Sequence, residues 1–398
     1  MTEHTNTPAL RFPEFRDEWN QNKLSDVVNV YDGTHQTPKY TNEGIKFLSV
    51  ENIKTLNSNK YISKEDFIKE FKIHPEYGDI LMTRIGDIGT PNIVNLKEPL
   101  AYYVSLALLK PININSYFLN SLILSPTVQN ELWRKTLHIA FPKKINKNEI
   151  AKVLINYPTF NEQEKIGYFF SKLDHQIELE EKKLELLEQQ KKGYMQKIFS
   201  QQLRFKDENG NDYPNWAVVK LKDILSERKE YASKTENYPH ATLSTSGITL
   251  KSDRYNRDFL VKDKSKKYKV TIMNDICYNP ANLKFGVITR NRIGSVIFSP
   301  IYITFEVNNG YSPLFIELLV TRNDFINRIR KYEEGTVYER MAVKPKDFLN
   351  YETEIPCLEE QKKIGDFLVK IDKLIENQSK KIDFLKQRKQ GLLQKMFV

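Results

Sequence analysis

Cysteine is nearly missing from this chain: only Cys277 and Cys357 occur among its 398 residues. Two thiols so far apart make neither a disulfide framework nor a zinc signature, which fits a reducing cytoplasm. Long apolar runs are also missing. Nothing approaches the roughly 20 residues that a bilayer-spanning helix needs, and the polar start MTEHTNTPAL has no signal-peptide core. No G-x-G-x-x-G, G-x-x-x-x-G-K-[ST] or G-x-S-x-G occurs, so no dinucleotide cradle, P-loop or nucleophile elbow is signalled. The histidines (His4, His35, His74, His138, His175, His240) have no carboxylate or cysteine at ligand spacing. Tyr278-Asn279-Pro280-Ala281 approaches the Asn-Pro-Pro-aromatic loop of amino-methyltransferases, but Ala281 and Asn282 break it. These gaps predict a cytoplasmic protein that is not an enzyme, with no catalytic residue, no metal, no cofactor and no membrane partner.

What is present is aromatic, charged and repeated. The 22 phenylalanines and 21 tyrosines argue for folded domains rather than disorder. A net charge of +10 favours a polyanionic partner without requiring one. Residues Pro158 to Phe199 and Pro356 to Phe397 align without a gap at an offset of 198, and about half of the positions are identical. A shorter echo opens each half: Leu10-Arg11-Phe12 with Trp19 and Lys23-Leu24, then Leu203-Arg204-Phe205 with Trp216 and Lys220-Leu221. The chain is two copies of one unit. Its predicted domains are an N-terminal arm (1–20), a first variable block (21–157), a repeated helix (158–200), a linker (201–217), a second variable block (218–355) and the second repeated helix (356–398).

In the repeated segments apolar residues recur at alternating four and three spacing, the pattern of a coiled-coil seam. The first seam includes Leu173, Ile177, Leu184 and Leu187, broken by Glu180 and Lys191. The second includes Ile375, Ile382, Leu385 and Leu392, broken at the same places by Gln378 and Lys389. About 33 helical residues give a rod of roughly 50 Å, and its natural mate is its own duplicate, packed antiparallel. Pairing the polar seam residues predicts a register in which Glu180 meets Lys389 and Lys191 meets Gln378. Leu173 then faces Met396, Ile177 faces Leu392, Leu184 faces Leu385 and Tyr194 faces Ile375. Asn161 is the predicted N-cap of the first helix, with Glu164 completing a capping box; Lys362 leaves the second box incomplete. Gly193 and Gly391 interrupt both copies, which either admits a close backbone or loosens the last turns.

The variable blocks differ in sequence but keep one order: strands, then helix, then a short strand into the repeated helix. In the first block Ile45–Ile53, Asp79–Gly86 and Ala101–Lys110 read as strands, and Ser116–Leu137 as two helices parted by Pro126. In the second, Asn274–Pro280, Phe285–Arg292 and Ser295–Val307 read as strands and Ser312–Tyr332 as helix. The predicted class is α+β: two similar recognition domains related by a pseudo-two-fold axis and separated by an antiparallel pair of long coiled-coil helices.

The chemistry that remains lies in basic, polar and aromatic turns, the residue types that reach phosphates and base edges. In the first block the candidates for DNA contact are His35, Gln36, Thr83, Arg84, Lys143 and Lys144. In the second they are Arg254, Arg257, Asn279, Lys284, Arg290, Arg292 and Arg340, with the Lys264–Lys269 run as a phosphate contact. For any one of them the alternative is a solvated surface charge.

This architecture resembles the specificity subunits of type I restriction–modification systems. The resemblance rests on two variable blocks alternating with two near-identical helices. Each helix opens with P-x-x-x-E-Q-x-K-I-G (Pro158 with Glu162-Gln163 and Lys165-Ile166-Gly167; Pro356 with Glu360-Gln361 and Lys363-Ile364-Gly365) and closes with K-x-G-x-x-Q-K-x-F. It implies that each variable block reads one half of a split target in double-stranded DNA, that the helices set the spacer, and that two methyltransferase subunits and further restriction/translocase subunits are partners. The alternatives are a coiled-coil scaffold, or the specificity module of a different nuclease or methyltransferase complex.

Overall fold

The computed structural model describes residues 6–233, 238–251, 267–333 and 341–398. The chain forms two compact units, residues 1–185 with 377–398 and residues 186–376. Each boundary falls inside a long helix.

The first unit opens with β1 (Asn20–Lys23) and β2 (Val28–Asp32). Then come β3 (Ile45–Leu48), β4 (Tyr61–Ile62) and helix α1 (Lys64–Glu70). The expected strand 45–53 stops at Leu48 because Asn52 accepts the Ser49 amide at 2.9 Å and turns the chain into a 3-10 helix. The central strands are β5 (Ile80–Ile85), β6 (Asp87–Ile93), β7 (Leu100–Tyr102) and β8 (Leu106–Pro111). The expected strand 101–110 is thus two strands. Helices α2 (Ser116–Ile123) and α3 (Pro126–Arg134) follow, capped by Asn115 and Ser125, with Pro126 in the first turn, where its missing N–H costs nothing. Then come α4 (Lys147–Ala151), β9 (Leu154–Tyr157) and the 40-residue α5 (Phe160–Phe199).

The second unit holds β10 (Ala217–Lys220), α6 (Leu221–Ile224), β11 (Leu225–Glu227) and β12 (Tyr231–Ser233). A tight hairpin follows, β13 (Ala241–Ser244) with β14 (Gly247–Leu250), then β15 (Lys267–Thr271) and β16 (Ile276–Tyr278). Next are β17 (Ile288–Arg290), β18 (Val296–Phe298) and β19 (Ile303–Val307). The helix expected over 312–332 is two, α7 (Pro313–Val320) and α8 (Asn323–Ile329), followed by a 3-10 turn. The break falls where the Thr321 hydroxyl donates back to the Glu317 carbonyl at 2.7 Å. The unit closes with α9 (Pro345–Asn350), β20 (Glu352–Ile355) and the 39-residue α10 (Leu358–Met396).

The two units repeat one plan. A four-stranded antiparallel sheet runs β2-β8-β5-β6 in the first and β11-β19-β16-β17 in the second. A two-stranded ribbon beside it ties the start of the block to its end, β1 with β9 and β10 with β20. The third sheet diverges: β4-β3-β7 contains a parallel pair, whereas β12-β15-β18 is antiparallel throughout.

Three rings lock the same corner of each unit. Trp19, Phe118 and Phe397 meet at centroid distances of 5.6–6.1 Å in the first. Trp216, Phe315 and Phe199 meet at 5.6–6.1 Å in the second. Phe397 ends one repeated segment and Phe199 the other. So the closing Phe of each repeat supplies the same core position, and burying such a ring contributes about 1.5–3 kcal/mol.

Cys277 lies fully buried in the second unit, where desolvation pushes its thiol up to about 12, while Cys357 is half-buried. Iodoacetamide at neutral pH is therefore expected to label Cys357 in the native protein and to reach Cys277 only after denaturation. Mass spectrometry of the native adduct checks this, and rapid labelling of Cys277 would contradict the packing of β16.

Candidate nucleic-acid interface

The repeated motifs act as latches. The first helix begins two residues earlier than a cap at Asn161 would place it: the Thr159 carbonyl accepts the Glu162 and Gln163 amides, so Asn161 and Glu164 lie inside α5. Cys357 is the matching residue before α10, its carbonyl accepting the Gln361 amide at 3.0 Å. Glu162 and Glu360 therefore occupy the third helical position, where a carboxylate also suits the helix dipole. Each is buried and takes both oxygens to an arginine of the opening echo. Arg11 donates to Glu162 through Nε and Nη2 at 2.7 Å, and Arg204 to Glu360 at 2.8 and 2.7 Å. The carboxylates hold both guanidinium pKa values up.

The next residue joins helix to recognition block. Gln163 donates to the Pro158 carbonyl and accepts the Asn115 amide, both at 2.9 Å; Asn115 caps α2. Gln361 does the same with Pro356 and Ser312, the cap of α7, at the same distances. A Cβ on Gly167 would come within 2.7 Å of the Phe118 nitrogen, and one on Gly365 within 2.8 Å of the Leu314 side chain. At Gly167 the close atom is backbone, so only glycine lets α2 lie so close; at Gly365 it is a side chain of α7. Gly193 and Gly391, by contrast, face open space, so no close backbone explains them among the described residues.

The long helices run antiparallel where they meet within each unit, but one heptad away from the expected register. Glu180 does not meet Lys389. It meets Gln378, its own counterpart in the repeat, whose Nε2 donates to the Glu180 carboxylate at 2.6 Å and carbonyl at 2.9 Å. Lys389 pairs with Asp174, and the matching Lys191 pairs with Asp372. Lys381 and Lys386 pair with Glu180 and Glu181. The expected pairing counted only the seam residues and overlooked the flanking acids Asp174 and Asp372, which satisfy both lysines one heptad away. Leu173, Ile177 and Leu385 bury together with Leu392 against them, and Ile382 is buried. Leu184, Leu187 and Ile375 are half-buried.

The DNA-contact candidates fall into three groups. Exposed on the first unit are His35 and Gln36, after β2, with Lys143 and Lys144 on the loop between α3 and α4. The Lys143 ammonium sits 4.5 Å over the Trp133 ring. On the second unit Lys284 is exposed beside Phe285, and Arg292 is 64% exposed.

A second group is turned inward. Thr83 is buried and accepts the Thr90 amide at 2.9 Å. Arg84 is 4% exposed, donates to the Ile145 carbonyl at 3.0 Å and pairs with Asp32. Asn279, 8% exposed, caps a 3-10 turn through the Ala281 amide, and the Tyr278 hydroxyl donates to Val343 at 2.9 Å. The Asn-Pro run is thus a helix cap. Arg290 divides its donors between Glu317 at 3.0 Å and Asn274 at 2.7 Å; Glu317 also takes Arg292 at 2.8 Å. Arg290, Arg292 and Glu317 border a cavity of about 550 Å³ with Thr245 and Ser246. The third group, Arg254, Arg257, Arg340 and residues 264–266 of the lysine run, lies outside the described residues, while Lys269 at the end of that run is buried and pairs with Glu227 at 3.4 Å rather than standing free for phosphate.

Residues 16–189 match the family described as type I restriction modification DNA specificity domain. The chain is 23% identical to the type I restriction enzyme MjaVIII specificity subunit of Methanocaldococcus jannaschii, over 97% of this chain and 92% of that one. Among solved structures, the type I restriction–modification S subunit of M. genitalium superposes with a TM-score of 0.60 at 15% identity, covering 98% of this chain and 99% of that one. A structure described as the basis of complex assembly and conformational transition of the type I R-M system gives 0.52 at 14% identity, covering 94% and 96%. At such identities the structural likeness is one of fold.

Removing Arg11 leaves a buried carboxylate without its partner, a change that costs about 3–5 kcal/mol. Arg11→Ala is expected to lower the denaturant midpoint of the first unit well below that of wild type, and Arg204→Ala that of the second. Local hydrogen exchange separates the two, and a neutral outcome for both would remove the latch.

Proposed function

We propose that the chain is a specificity subunit of a type I restriction–modification system, the non-catalytic subunit that reads a two-part DNA sequence, a reading supported by the family match over residues 16–189 and by the full-length likeness to a specificity subunit. Residues 21–157 read one half and residues 218–355 the other. The repeated helices set the spacer and receive two methyltransferase subunits, and restriction/translocase subunits join that core. The observation that carries this reading is repetition with divergence. The sheet order, the Arg–Glu latch and the glutamine tie recur in both units, while the loops that bear the basic residues share little sequence. A scaffold needs the constant parts only. Two readers with different targets need the same frame and different loops.

Phosphate contacts through the exposed lysines and arginines make binding steeply dependent on salt, while base contacts fix the sequence. Exchanging residues 218–355 for the corresponding block of another family member is expected to change one half of the methylated sequence and leave the other intact. Sequencing methylated adenines in host DNA reads this directly, and a change in both halves would refute the modular reading. Inserting one heptad into each long helix is expected to lengthen the tolerated spacer, and an unchanged spacer would refute the ruler.

A further inference from the structure

The loop between α3 and α4 exposes apolar side chains that the fold does not use. Phe141 is 104% exposed, Ile139 98% and Leu137 40%, and Trp133, in the last turn of α3, is 52% exposed beside them. Isolated exposed apolar residues are ordinary, but several large ones on one projecting loop mark a contact surface.

The loop is not loosely held. Leu137 and Lys144 bridge across its base, and Lys144 bridges to Ile85. The Gly86 amide donates to the Lys143 carbonyl at 2.8 Å, and the Ile145 amide donates to the Arg84 carbonyl at 3.0 Å. Arg84 clamps the same point with its side chain through the Ile145 carbonyl. The Trp133 ring carries His138 on it, with centroids 4.3 Å apart, and the Lys143 ammonium over it. From Leu137 to Asn148 there is no acidic residue, while Lys143, Lys144 and Lys147 are present. A rigid base thus presents an apolar tip followed in sequence by two lysines, with no acid in the loop itself.

That combination suits a polyanion whose interior is apolar. Proteins that insert Phe, Ile or Leu between base steps pair the wedge with cations on the adjoining phosphates, and a base stacked on an aromatic ring is retained regardless of its identity. Resting on the DNA-reading function proposed above, we propose that this loop is a wedge. Phe141, with Ile139 beside it, inserts at one base step of the half-site read by the first domain, and Lys143 and Lys144 hold the flanking phosphates. Arg84 is the positioning residue that fixes the base of the loop.

The test uses the full chain assembled with its modification subunits, on a duplex bearing the target identified from methylated adenines and on a random duplex. With 2-aminopurine placed at successive positions of the half-site, wild type is expected to raise fluorescence at one step. Phe141→Ala is expected to lose that signal and to weaken target binding about ten-fold or more, with an unchanged salt slope. Phe141→Trp is expected to keep both. Lys143→Ala with Lys144→Ala is expected to flatten the log–log salt slope by roughly 2, near 0.9 for each phosphate released. Melting temperatures should match wild type, because the tip is solvent-exposed. If Phe141→Ala binds within two-fold of wild type with an unchanged fluorescence pattern, the wedge is wrong and the DNA-reading function stands. If Phe141→Ala instead loses modification subunits while the remaining complex binds DNA normally, the loop is a protein contact and the wedge is wrong. If wild type itself does not distinguish target from random duplex, both proposals fall.

Discussion

The structure depends on a carboxylate buried at the third position of each long helix. Glu162 and Glu360 are 0% exposed, and an unpaired carboxylate there would be costly. Each is neutralised by a fork-shaped arginine from the segment preceding the recognition block, which ties the start of the block to the helix that ends it. The adjacent glutamine then fixes the helix that follows the central sheet, α2 or α7, and the glycine four residues on lets that helix approach. Three consecutive requirements on one short stretch of helix orient an entire domain, so the surface loops are free to change without disturbing the frame.

The seam between the helices follows another rule. No two of its polar residues form an ion pair with each other; Glu180 and Gln378, counterparts of the same repeat position, meet through a hydrogen bond. Lys191 and Lys389 are satisfied by acids just beside the seam. Exposed pairs of this kind contribute little to stability. Their use is in register, because a slide of one heptad would exchange the two lysine–aspartate pairs for a single Glu180–Lys389 pair and break the Glu180–Gln378 bond.

The sequence by itself determined the duplication, the α+β class, the long helices, the order of elements in each block and the family resemblance, because periodicity and repetition are local or one-dimensional signals. It also singled out both latch motifs, although as markers rather than as contacts. A signal was present: Arg11 and Arg204 recur in the opening echo, and Glu162 and Glu360 recur in the helix. Yet some 150 residues separate the partners, and no local rule joins them. Only the tertiary structure decided which candidates face outward. Arg84 and Thr83 carry the right chemistry for DNA but turn inward, because Asp32 and the Ile145 carbonyl are brought to them from distant strands and loops. Phe141 and Ile139 stand fully in solvent, which their apolar character alone does not announce. The helix register was likewise settled in three dimensions, since the acids that fix it lie off the seam, and burial and partnership across long separations are properties of the folded chain alone.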